Sequence, residues 1–138
     1  MKIIVDAMGG DNAPLEIVKG ALQAQKRFGA AIVFTGDEAA ILDAVRACGL
    51  TDLPDGAAVI PATETVEMCD DPATVFRRKK DTSMGVGLTL LKNGGGDAMV
   101  SAGSTGALLT GATLITKRIH GIRRAAMAPQ IPTKTGRE

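Results

Sequence analysis

Ser101 to Gly106, the run SAGSTG, packs more potential chemistry into six residues than any other stretch of this sequence. Gly103 and Gly106 can take backbone angles that a Cβ resists, so a tetrahedral group can approach the chain closely there. Ser101, Ser104 and Thr105 set hydroxyls beside those glycines. Apolar Ala98, Met99 and Val100 precede the run, and Leu108, Ala112, Ile115 and Ile119 follow it at helical spacing, which predicts strand, tight loop, helix. The first amides of a helix lack intrahelical acceptors and carry the positive end of its dipole, so an oxyanion is the expected occupant. The sequence holds neither a Walker loop nor the dinucleotide fingerprint. The plainer alternative is a glycine turn that merely lets a helix pack closely.

A second cluster, Asp6 to Pro14 (DAMGGDNAP), sets Asp6 and Asp11 on either side of Gly9 and Gly10. Asp6 ends the β-branched run Lys2 to Val5, at the carboxyl end of a strand, where open α/β sheets place their ligands. An ordinary turn would have the same composition, with Asp11 or Asn12 capping a helix that begins near Pro14. No His or third carboxylate lies nearby, so positioning is favoured over metal binding and no metal is expected. The third cluster is Arg77, Arg78, Lys79 and Lys80, on a helix predicted from Ala73 to Lys80 behind Asp71 and Pro72. Four successive helical positions span more than a turn, so the run reaches both solvent and a cleft. Arg78, Lys79 and Lys80 are therefore candidate anion ligands, arginine offering the better fork, against the alternative of a solvated basic face. His120 has no visible Ser or Cys partner and is read as structural.

These clusters need a scaffold, and the hydrophobic pattern supplies one. Strands are predicted at Lys2 to Val5, Ala31 to Thr35, Ala57 to Ile60 and Ala98 to Val100. Helices carry the stripes Ile17, Ala21, Ala24, Phe28, then Ile41, Leu42, Val45, Cys48 closed by Gly49, then Met84, Leu88, Leu91. Alternating strands and helices are the signature of a parallel sheet, so the expected class is α/β, a Rossmann-like three-layer sandwich. Ala62 to Asp71 is acidic and aperiodic and is read as a mobile flap. A further strand, interrupted by Pro129, is predicted over Ala125 to Ile131, with a polar tail from Pro132 to Glu138.

The chain has 138 residues, which suits one domain burying about two thirds of its unfolded surface. Trp and Tyr are absent and Phe occurs three times, so Ala, Val, Ile, Leu and Met must build the core. A net charge of +1 argues against general nucleic-acid binding, which needs a strong basic excess. Cys48 and Cys69 are too few and too far apart for a redox pair or zinc site and are read as reduced thiols. No apolar run reaches the ~18 to 20 residues of a membrane span, and the start lacks a signal-peptide core, so a cytoplasmic location is expected.

The segments DAMGGDNAP, DDPATVFRRKKDTSM, SAGSTGALLTGATL and APQIPTKTG, in that order, resemble the bacterial phosphate acyltransferases of phospholipid synthesis, acyl-[acyl-carrier-protein]:phosphate acyltransferases. The resemblance runs over essentially all 138 residues. It implies transfer of an acyl group from an acyl carrier protein thioester to inorganic phosphate, giving acyl phosphate for glycerol-3-phosphate acylation. It further implies a homodimer without cofactor, peripheral membrane association, functional contact with a glycerol-3-phosphate acyltransferase, and a fold similar to isocitrate/isopropylmalate dehydrogenases. Position 104 is Ser where that family usually shows Asn. Family members are much longer, so residues 1–138 are expected to form one α/β domain, the N-terminal part of a two-part enzyme. Two rival readings are a truncated phosphate-binding or dimerisation module and a dehydrogenase-like enzyme of related fold. A membrane-surface patch at Arg77 to Lys80 is a third.

Overall fold

The computed structural model describes residues 1–128. Four strands, β1 (Lys2–Asp6), β2 (Ala31–Gly36), β3 (Ala57–Pro61) and β4 (Ala98–Val100), form one sheet in the order β3-β2-β1-β4. All three pairings are parallel, with Ile4 opposite Val33 on one side and Met99 on the other, and Val33 opposite Ala58. The expected α/β class holds.

Two helices, α1 (Leu15–Phe28) and α2 (Glu38–Ala47), cover one face. There Val18 and Ala21 of α1 and Ile41, Ala44 and Val45 of α2 bury against Val5, Ile32 and Phe34. The alternate strand residues face the other side, where α4 (Ser83–Lys92) and α5 (Thr105–Gly111) gather Met84, Leu88 and Ala107 with Val66 and Val75. The result is three layers, helices on sheet on helices. Both early helices end as their glycines require: Gly29 and Gly49 sit at φ +66° and +85°, left-handed positions that stop a helix without Cβ strain.

Several expectations are corrected. Asp11 and Asn12 do not cap α1 with their side chains; Pro14 occupies the cap position and no side-chain cap bond forms. The basic helix α3 is only Val75–Arg78, because the backbone turns extended at Lys79. With one turn instead of two, the packing argument for that run no longer holds. Residues 62 to 71 are no free flap: Ala62 and Val66 are buried, Ala62 N–H donates to the Gly36 carbonyl, and Glu64 N–H and carbonyl bond Asp81 and Ser83.

The last helical run also differs, since α5 gives way at Ala112 to a wider π turn ending at Thr116, with Lys117 at φ +73°. Ile119 and His120 therefore lie beyond the helix. β4 is less buried than its composition suggests, as it pairs with β1 alone among the described residues and leaves Val100 exposed. No strand forms over residues 125 to 128, and the rest of the strand expected to Ile131, with the tail from Pro132, lies outside the described residues. Cys48 and Cys69 are both free. Among the described residues no helix is long and apolar enough to cross a membrane.

Candidate functional site at the carboxyl ends of β1 and β4

The chain leaves β1 through α1 to reach β2 and β3 on one side, then crosses back through α4 to lay β4 on β1's other side. The connections thus diverge between β1 and β4. At such a switch point the loops after the two strands separate and leave a crevice outside the strand ends. The two glycine clusters picked out from the sequence are those two loops, residues 7–14 and 101–104.

Asp6 closes β1 and is essentially inaccessible to solvent, at 1% exposed. Its Oδ2 accepts the Ser101 hydroxyl at 2.7 Å, and Ser101 Oγ in turn accepts the Gly103 N–H at 3.1 Å. Residues 95 positions apart are thereby joined into one polar chain across the crevice floor. Gly9 fits over that chain only because it has no side chain. A Cβ there would stand 2.7 Å from Asp6 Oδ2 and 2.9 Å from both Gly103 N and Ser101 Oγ. Gly103 is held as closely, since its own Cβ would lie 3.2 Å from the Gly9 Cα. Gly10, at φ +114°, takes a conformation that L side chains rarely adopt.

Asp6 Oδ1 is buried with no hydrogen-bond partner among the described residues. An unsatisfied buried acceptor costs roughly 1–3 kcal/mol, so the floor is short of a donor. Ser101 cannot supply one, because a hydroxyl has a single hydrogen and Ser101 spends it on Oδ2. Ser101 is thus a brace of the loop, which corrects its expected role as a hydroxyl donor to an anion.

The rim has the opposite character. Ser104 caps α5, its Oγ accepting the Ala107 N–H at 3.4 Å. Asn serves the same capping role, so Ser in place of Asn at this position keeps the helix start. The amides of Ser104, Thr105 and Gly106 have no hydrogen-bond acceptor among the described residues, and Thr105 and Gly106 are exposed. Pro72 borders this rim, 3.1 Å from where a Gly106 Cβ would stand.

The basic run stands apart from this junction. Lys79 Nζ donates to Asp70 Oδ2 at 2.6 Å and to the Thr65 carbonyl at 2.9 Å. That hydrogen bond to Asp70 raises the Lys79 pKa, and the same bond, with the Glu67 N–H, lowers that of Asp70. Lys79 therefore clasps the 62–71 segment, a correction to its reading as an anion ligand. Arg78 and Lys80 are exposed, and no described ion pair or hydrogen bond ties them to residues 101 to 106; Asp11 is exposed as well. Among the described residues no three His, Cys, Asp or Glu side chains converge as a metal site would require. A cavity of about 740 Å³ between α1 and α2, lined by Leu15, Leu22, Gln25, Ala47 and Cys48, includes none of the crevice residues.

Sequence reasoning found both loops but not their junction. The pairing of Asp6 with Ser101 depends on β4 lying beside β1, and no local pattern encodes strand order.

Comparison with known proteins bears on this junction. Residues 1–138 match the family model described as fatty acid synthesis protein. The chain is 45% identical over 136 residues to a phosphate acyltransferase of Thermoanaerobacterium thermosaccharolyticum and 46% identical over 137 residues to one of Thermoanaerobacter pseudethanolicus. A phosphate acyltransferase of Herpetosiphon aurantiacus is 42% identical over 138 residues. Each alignment covers 99% of this chain but only 39%, 40% and 36% of the respective relative. The chain thus spans about two fifths of the length of the curated relatives it matches.

Proposed function

The chain belongs to the fatty acid synthesis protein family, and on that premise we propose that it carries the phosphate-holding part of an acyl transfer from an acyl carrier protein thioester to inorganic phosphate. The observation that carries the reading is the meeting of two glycine loops at the β1/β4 switch point, with open amides at its rim. The relatives' name, phosphate acyltransferase, supports the same chemistry.

In this reading phosphate is the nucleophile. An oxygen of phosphate attacks the thioester carbonyl carbon, the carbonyl oxygen becomes an oxyanion, and collapse expels the carrier's thiolate and leaves acyl phosphate. No Ser, His, Asp triad is needed, because the protein's task is to hold the anion against the carbonyl and steady the charge that develops. The amides of Ser104, Thr105 and Gly106 hold phosphate oxygens, Gly103 and Gly9 keep the approach open, and Asp6, Gly10 and Asp11 shape the adjoining wall. Arg78 and Lys80 remain candidates for balancing charge once substrate is present.

The domain so described is the N-terminal part of a two-part enzyme, acting as a homodimer in the cytoplasm at the membrane surface. Its product feeds a glycerol-3-phosphate acyltransferase. The test incubates the chain with acyl carrier protein thioester and phosphate, alone and with the remaining part of a relative supplied as a separate polypeptide, and traps acyl phosphate with hydroxylamine. Product formed only with both parts supports a split site, and no product under either condition overturns the reading.

A further inference from the structure

The floor of the crevice holds acceptors and its rim holds donors. At the floor, the Ser101 hydrogen lies on Asp6 Oδ2 and Ser101 Oγ takes the Gly103 N–H, leaving it one lone pair and no hydrogen to give. Asp6 Oδ1 beside it lacks any donor among the described residues and is buried. At the rim, Ser104, Thr105 and Gly106 offer unpaired N–H groups. A bare oxyanion satisfies the rim but meets only repelling lone pairs at the floor. A tetrahedral anion that still carries a hydroxyl satisfies both.

We propose that Asp6, acting through Ser101, is a specificity-determining positioning residue that makes this crevice select an oxyanion bearing a proton, hydrogen phosphate, over one bearing none, sulfate. The proposal rests on the phosphate-holding reading and adds to it the identity of the anion. Inorganic phosphate keeps at least one P–O–H at neutral pH, whereas sulfate of the same size and shape keeps none. The P–O–H donates to Ser101 Oγ, whose own hydrogen Asp6 holds turned away. Size cannot separate the two ions, so an acceptor is the available means of discrimination. A site built to pair with a hydroxyl rejects analogues that lack it far more strongly than a pocket that only measures volume.

The experiment is calorimetric titration of the 138-residue chain with phosphate, arsenate and sulfate at pH 7.5 and matched ionic strength. Phosphate and arsenate, both hydroxylated, are expected to bind at least about tenfold more tightly than sulfate. In Asp6→Asn the amide can donate to Ser101 Oγ and turn the hydroxyl hydrogen outward, so the preference should shrink toward one as sulfate gains. Ser101→Ala, at a half-buried loop position, keeps the fold and should remove the preference as well. A merely structural Asp6 would weaken both anions alike and leave their ratio unchanged, which overturns the proposal. Equal binding of phosphate and sulfate by the parent chain overturns it while sparing the phosphate-holding reading; binding of neither anion overturns both.

Discussion

Gly9 shows how little room the junction leaves. A methyl group there meets a carboxylate oxygen, a backbone nitrogen and a hydroxyl oxygen within 2.9 Å, and none of the three is the loose end of a long side chain. Gly9→Ala must therefore separate the loops or break the bond between Ser101 and Asp6. We expect a loss of about 1–3 kcal/mol in urea unfolding, the usual cost of overpacking, together with loss of phosphate binding. Gly20→Ala is the matched control, because it lies within α1 with nothing within 4 Å of its added Cβ. It should gain roughly 0.5–1 kcal/mol through helix propensity and bind phosphate as before. If both substitutions behave alike, the crowding at Gly9 is not what holds the junction. The glycines themselves were legible in the sequence, since DAMGGD and SAGSTG are conspicuous. Their different duties were not, because a glycine's neighbours in space come from strands far away in the chain.

At the scale of elements, the strand and helix pattern was legible wherever apolar residues recur with a clean period, as in β1, α1, β2, α2, β3 and α4. It failed where a polar contact outweighs local propensity. The stretch Ala73 to Lys80 has helix-forming composition, yet the helix stops at Arg78 so that Lys79 can reach Asp70 and the Thr65 carbonyl. The same clasp turns an apparent flap into a strap. Asp70 titrates below the ordinary carboxylate range because Lys79 and the Glu67 N–H bond to it, so its contribution is present above that range and is lost as pH falls through it. Lys79 titrates above the ordinary lysine range because of Asp70, so its contribution is present below that range and is lost as pH rises beyond it. Amide exchange of the Thr63, Glu64 and Glu67 region, corrected for the pH dependence of an unstructured peptide, should thus stay slow at neutral pH and quicken in acid. Lys79→Gln should show the acid-like rate already at neutral pH. A variant that exchanges at the parent's rate would mean that the hydrogen bonds of Glu64 to Asp81 and Ser83 hold the strap without the ion pair.

The whole molecule is lopsided in two ways that share a side. Its sheet has a hydrogen-bonded interior at β1 and β2, while β4 is three residues long and pairs with β1 alone among the described residues. Val100 on that strand is 56% exposed, and Leu114, Ile119, Ile122 and Met127 are exposed in the chain that follows. Charge divides at the same place: residues 1–97 hold ten Lys or Arg against fourteen Asp or Glu, whereas residues 98–138 hold six against one. The charge division was open to reading from the sequence, but the open edge was not, because strand order had to be known first. An uncovered strand edge beside apolar side chains is a template for pairing with another chain, and opposite charges on the two parts of the molecule add attraction between copies. The chain on its own should therefore self-associate as its concentration rises in sedimentation velocity, and less so in high salt, which screens the charge contribution. Val100→Lys places a charge where another strand would dock and should hold the chain as a monomer over the same range, with its thermal unfolding little changed because Val100 contributes little to the core. A parent chain that stays monomeric throughout would show that the edge of β4 is too short to recruit a partner, while association that Val100→Lys leaves untouched would move the contact to the apolar residues beyond Leu114.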